Sequence, residues 1–239
     1  MPRPLLVLFT GNTVPNVRDA FGDFDAHFRS RVGDVWQHGW STADARDEAT
    51  PLPDPGGFSG VIVTGSSSSV TERAPWMLRL EAWLRTAVAA EAPLLGVCFG
   101  HQILGSALGG EVHKNVAGRR LGTVEVVRTD DDPLLEGLPE RFTVNVSHRD
   151  HVAIAPPGVR GLVTADHDRL HAFAAGTNAR AVQFHPEFDQ AILRGYIEAR
   201  RQVLREEGLD ADALHAAAED SPAAGRVLQN FVRHFARRT

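Results

Sequence analysis

A single cysteine, Cys98, stands in a chain of 239 residues, so no disulfide can form within it. Secreted domains that lean on cross-links are excluded, and a reducing, cytoplasmic setting is expected. The first residues, Met1-Pro2-Arg3-Pro4, lack the long apolar core of a signal peptide. No apolar run approaches the roughly 20 residues that cross a bilayer, so no membrane partner is expected. Positive charge is not in excess either: Lys and Arg number 25 against 30 Asp and Glu, a formal net charge of −5. That balance gives nucleic acid no basic footprint. Internal repeats are missing, as is any Gly-rich nucleotide loop of the P-loop or pyrophosphatase type.

The length suits one α/β domain, since such domains often run to roughly 200–250 residues. Leu5 to Phe9, Gly60 to Thr64 and the apolar run from Leu94 are continuous, the mark of strands buried on both faces of a parallel sheet. Between them, Val17, Ala20, Phe21, Phe24 and Phe28 recur at helical spacing behind Asn16 as the cap. Val35 and Trp36 are expected to begin a further strand, and Ser41 to Gly57 to form a surface loop. Pro75 opens a helix with Trp76, Met77, Leu80, Trp83, Leu84, Ala87 and Val88 on one face, its tryptophans in the core. The alternation implies an open, mostly parallel sheet with helices on both faces.

From Gly110 to Ala175 short strand-like runs are separated by Gly, Pro and Asp turns, which predicts an antiparallel extension of the sheet. Asp130-Asp131-Asp132 is expected to be a solvated turn, with a metal site as the alternative. Arg180 to Phe184 is another strand, and C-terminal helices follow, the last opening at Ser221-Pro222. The organisation expected is a single domain over 1–239, with a core of about 4–188 and a helical extension of about 189–239.

Chemistry concentrates where the third apolar strand ends. In Gly96-Val97-Cys98-Phe99-Gly100 the glycines let the chain turn sharply from strand to helix and hold the side chain between them on a strained bend. The helix N-terminus favours a thiolate there, and the Phe99 amide can donate to a developing oxyanion. The plainer reading is a structural cysteine between packing glycines. A base is available in His185, just past a strand end, with Glu187 across Pro186 to orient it. Other polar residues read more plainly. His101 packs behind the bend. His148 and His151 suit a substrate loop better than a metal. His167 and His171 flank a turn and are expected in solvent. Arg149 meets either a substrate carboxylate or a structural ion pair. Arg119-Arg120 reads as a solvated loop, with an acidic acceptor as the lesser option.

Gly96-Val97-Cys98-Phe99-Gly100-His101-Gln102 followed by Phe184-His185-Pro186-Glu187 resembles the class I, triad-type glutamine amidotransferases, and is similar to the glutaminase domain of GMP synthases and to stand-alone GMP synthase-like proteins. The resemblance covers about Leu5 to Phe188 and implies a flavodoxin-like fold and no cofactor or metal. It implies that Cys98 attacks the glutamine side-chain amide, that His185 moves the protons and that Glu187 holds His185. Phe99 and the Gly65-Ser66 loop would supply the oxyanion hole. Gln102 would contact substrate, and Ser147, His148, Arg149 and Asp150 would hold its α-amino and α-carboxyl groups. One departure stands out. Relatives often carry Gly-Gly-Pro where this chain has Gly65-Ser66-Ser67-Ser68-Ser69, so a less constrained oxyanion loop is expected. With no nucleotide loop present, ammonia would go to a synthetase on another chain. Two alternatives stay open: a stand-alone hydrolase of γ-glutamyl peptides, and an inactive binding protein of the same fold.

Overall fold

The computed structural model describes residues 3–166 and 168–237. Five parallel strands form the half of the sheet that positions the site: β1 (Leu5–Phe9), β2 (Trp40–Asp44), β3 (Gly60–Val63), β4 (Leu94–Val97) and, far later in the chain, β11 (Ala179–Val182). The antiparallel half is built from β6 (Arg120–Arg128), β7 (Arg141–His148), β9 (Arg160–Ala165) and β10 (Asp168–Ala175). The nine strands run in the order β2-β1-β3-β4-β11-β10-β9-β6-β7, and a two-stranded ribbon pairs β5 (Glu111–Lys114) with β8 (Asp150–Ile154). The expected mixed sheet with an antiparallel extension is what the chain forms.

The apolar runs are continuous because both faces are covered. Leu5 and Val7 enter one core with Phe24, Phe28, Leu193, Ile197, Leu228 and Phe231. Leu6 and Leu8, one residue out of step, enter the other with Met77, Leu80, Leu84 and Ile103. The first face carries α1 (Pro15–Phe21), α2 (Phe24–Val32), α5 (Gln190–Ala199) and α8 (Pro222–His234), and the second carries α3 (Pro75–Ala89) and α4 (Phe99–Ala107). Two short helices, α6 (Arg201–Glu206) and α7 (Ala211–Ala216), lie between α5 and α8. No helix among the described residues is long and apolar enough to cross a membrane.

Several local expectations are corrected. The helix from Asn16 to Phe28 is two helices: Gly22 (φ 83°) ends the first, and the Asp23 carboxylate accepts from the Phe24 amide to start the second. Pro15 opens α1, while Asn16 donates instead to the Gly195 carbonyl at 2.9 Å. Val35 closes a 3-10 turn, and the second strand begins at Trp40, taking Ser41 to Asp44 out of the expected loop. That strand sits at the sheet edge and is only partly buried, so it lacks the apolar run that marks its neighbours. Asp132 is not solvated. Its carboxylate lies 2.7 Å from Arg160 and 2.9 Å from Arg180, the counter-charge for a buried arginine in a parallel strand. Trp76 and Trp83, expected in the core, are only partly buried and pack against the second core from its rim.

Candidate active site

The bend is made by close approach. A Cβ at Gly96 would lie 2.5 Å from the Gly100 carbonyl oxygen, and one at Gly100 would lie 2.4 Å from that of Val63. Only glycine lets β3, β4 and the first turn of α4 come this near. Cys98, between them, takes φ 54° and ψ −101°, a conformation a side chain rarely adopts, which costs on the order of 1–3 kcal/mol. Its amide donates to the Val182 carbonyl at 2.9 Å, which ties the bend to β11. The sulfur lies 3.7 Å from the Ser147 carbonyl. Phe99 is the first residue of α4, where amides have no partner within the helix.

β11 delivers the second group. The His185 amide donates to the Asn145 carbonyl at 2.9 Å, and its ring stacks on Phe188 with centroids 4.0 Å apart. Nδ1 donates to Glu187 Oε1 at 2.7 Å, with both side chains almost fully buried. Burial works against a charged imidazole here. The Glu187 carboxylate and the Cys98 sulfur outweigh it and push the His185 pKa up to about 10. Behind the pair, Glu187 Oε2 and both ring nitrogens of buried His27 have no partner among the described residues.

The loop after β3 closes over this pair. A methyl on Gly65 would lie 3.0 Å from Cε1 of His185 and 3.7 Å from Cβ of Cys98. The expected looseness of the serine run is not found. The Thr10 and Thr64 hydroxyls reach the Gly65 carbonyl at 3.1 and 3.0 Å, Ser66 Oγ accepts from the Ser68 amide, and Ser69 Oγ donates to the Asp150 carboxylate. In a trans peptide the N–H points opposite to the carbonyl, so the threonines fix the direction of the Ser66 amide.

Ser66, Cys98, Gln102, Ser147, His148, Arg149 and Asp150 share the wall of one cavity of about 410 Å³, whereas His185, Glu187, Gly65 and Phe99 are buried and do not line it. The Gln102 amide donates to the Asp150 carbonyl at 2.8 Å and to Gln183 Oε1 at 3.1 Å, and so fixes the loop that carries residues 147–150. His148 Nδ1 donates to the same carbonyl at 2.9 Å, and burial, helped by neighbouring His171, pushes its pKa down to about 3. His148 is therefore a neutral wall group. His101 is fully buried behind the bend with Nε2 2.7 Å from the Leu170 carbonyl, as its position suggests.

Two surface readings fail here, those of His171 and Arg119, while Arg149 takes the ion-pair alternative. His171 is buried, with Nδ1 3.0 Å from Asp168, which is buried too. His167 lies outside the described residues. Arg119 is bound by both oxygens of Glu207, at 2.7 and 3.1 Å, and lines the cavity. Arg149 Nε lies 3.7 Å from the same glutamate. The sequence reading missed Arg200, which also lines the cavity. Its spacing held a signal: Tyr196 and Arg200, four apart, share a helix face that is otherwise apolar.

A buried-strand cysteine on a bend at a helix head, facing an imidazole held by a carboxylate, on this sheet order, defines an α/β protein of the amidotransferase fold. The solved glutamine amidotransferase of Thermotoga maritima superposes with a TM-score of 0.78 at 19% identity, over 99% of this chain and 100% of that one. The glutamine amido transferase of Methylobacillus flagellatus does so at 0.73 and 21%, over 100% and 98%. The family model Glutamine amidotransferase class-I matches residues 37–197. The chain is 33% identical over 131 residues to a glutamine-hydrolysing GMP synthase subunit of Saccharolobus solfataricus, covering 54% of this chain and 68% of that protein. It is 34% identical over 143 residues to the GMP synthase of Thermomicrobium roseum, covering 58% of this chain and only 26% of that longer protein. The chain belongs to the class I glutamine amidotransferase family.

Proposed function

We propose that this chain hydrolyses the side-chain amide of glutamine through a γ-glutamyl thioester on Cys98, and that the ammonia passes to a synthetase on a separate chain. The observation that carries this reading is Cys98 at a strained bend beside the buried His185–Glu187 pair. In it, His185 takes the thiol proton and Glu187 balances the imidazolium charge. The thiolate attacks the amide carbon, and the oxyanion meets the Phe99 amide and the amide of Ser66. His185 returns the proton to the nitrogen as the C–N bond breaks, and ammonia leaves. Water then attacks the thioester, losing a proton to His185, and the C–S bond breaks to release glutamate. Gln102 and Ser147 to Asp150 shape the glutamate side of the cavity. No cofactor or metal enters these steps. The synthetase partner is carried over from relatives named as glutamine-hydrolysing GMP synthase subunits.

Hydrolysis of γ-glutamyl peptides is the second reading. The cavity of about 410 Å³ is of ordinary ligand-pocket size and leaves room beside the glutamyl group for a leaving group larger than ammonia. Both readings predict that Cys98→Ala and His185→Ala each lower glutamate release by at least about 10⁴-fold, because residues acting as a unit fail together. Glutamate release by the purified chain, from glutamine and from γ-glutamyl dipeptides, measures this. Undiminished release in Cys98→Ala sinks both.

A further inference from the structure

The cavity wall holds a cation that the chain itself leaves unanswered. Arg200 stands at the junction of α5 and α6, just beyond the stretch shared with the family, which ends at residue 197. Its guanidinium lies 4.7 Å from the ring centroid of Tyr196, which fixes it by stacking. Tyr196 rests on Phe188, centroids 4.5 Å apart, and Phe188 stacks on His185. Arg200 is thereby positioned from the same stack that positions the imidazole.

No carboxylate among the described residues pairs with it, and Nη1 is buried without a hydrogen-bond partner. The neighbouring arginines differ. Arg119 is held by both oxygens of Glu207, and Arg149 reaches the same carboxylate. One glutamate serves both of them, which leaves Arg200 the unanswered guanidinium of the group. Lys114 also lines the cavity but is exposed to solvent, where its charge costs nothing. A partly buried, unpaired guanidinium is costly, and that cost is relieved when an anion enters. Guanidinium geometry matches a carboxylate through two parallel hydrogen bonds.

We propose that Arg200 is a specificity-determining residue that binds a substrate carboxylate in the Cys98 cavity. The inference rests on the reading above that Cys98 cleaves the side-chain amide of a γ-glutamyl substrate, glutamine or a γ-glutamyl peptide. The carboxylate comes from one of two sources, the α-carboxylate of the glutamyl group or the carboxylate of a leaving-group amino acid, and the test separates them.

The experiment measures binding by calorimetry to the full chain carrying Cys98→Ala, which binds without turnover. The ligands are L-glutamine and its α-amide, then γ-glutamylglycine and γ-glutamylglycinamide. The acid binds at least tenfold more tightly than its amide in the pair whose carboxylate Arg200 grips. That preference falls to within twofold when Arg200→Gln is added, and Arg200→Lys restores part of it. A preference in the glutamine pair assigns the α-carboxylate, and one confined to the glycine pair assigns the leaving group. An acid–amide preference that is unchanged by Arg200→Gln, or no binding of any of the four, overturns the proposal. Arg200→Lys keeps the charge and guards against a folding defect in Arg200→Gln. Failure of the hydrolysis reading looks different: the wild-type chain releases no glutamate while the binding preferences persist.

Discussion

Gly65 and its two threonines carry the finest detail of the site. The peptide after Gly65 cannot turn over without losing hydrogen bonds from Thr10 and Thr64. If that peptide supplies the second oxyanion donor, loosening it slows chemistry more than binding. Removing one such donor outright costs roughly 10²–10³ in rate, so Thr64→Val, which removes only one of its two anchors, is expected to lower kcat about tenfold with little change in KM. Steady-state kinetics of glutamate release check this; a loss confined to KM contradicts it. Glu187→Gln is expected to cost less than His185→Ala, about 10⁴-fold against on the order of 10⁶-fold, because it leaves the base present but poorly oriented. Equal activity in Glu187→Gln and wild type argues against an orienting role.

At the scale of elements, the site exists because β3, β4 and α4 approach to glycine distance. Gly100→Ala brings a methyl onto the backbone of Val63, where no side chain can move aside. Overpacking of this kind costs typically about 1–3 kcal/mol or more, and here it also displaces Cys98. Denaturant unfolding and glutamate release are both expected to suffer; a variant of wild-type stability contradicts the packing account. This part of the molecule was legible in the sequence. Leu5 to Phe9 and Gly60 to Thr64 read as buried strands because both their faces are apolar, and the paired glycines around Cys98 announce the bend. What did not read were elements and charges defined by distant partners. β2 is a half-buried edge strand with no apolar run. Asp132 owes its burial to Arg180, 48 positions away, and Arg119 owes its pairing to Glu207, 88 positions away. Arg200 gains its place in the cavity from a stack on Tyr196 that no motif records.

The whole molecule carries opposed titrations. His185 is raised to about 10 despite its burial, by Glu187 and Cys98, so the stability it contributes is full below the ordinary imidazole pKa and is lost as pH climbs toward 10. His27, His101 and His148 go the other way. Burial lowers all three, His101 to about 4 and His148 to about 3. Their contribution is full above the ordinary imidazole pKa and is lost as pH falls, because the unfolded chain then takes up protons the folded chain refuses. Stability is therefore expected to peak between these limits, within about pH 5–8. Denaturant unfolding across that range and beyond should show decline on both sides, with the alkaline decline reduced in His185→Gln. The same alkaline slope in both proteins contradicts the buried ion pair.

In the proposed reaction one cysteine, Cys98, carries an amide hydrolysis. The most direct test is glutamate release from L-glutamine by the purified chain, set against Cys98→Ala prepared in the same way. Release by the wild-type chain and none above background from the variant is the expected outcome. Release by Cys98→Ala at the wild-type rate contradicts it.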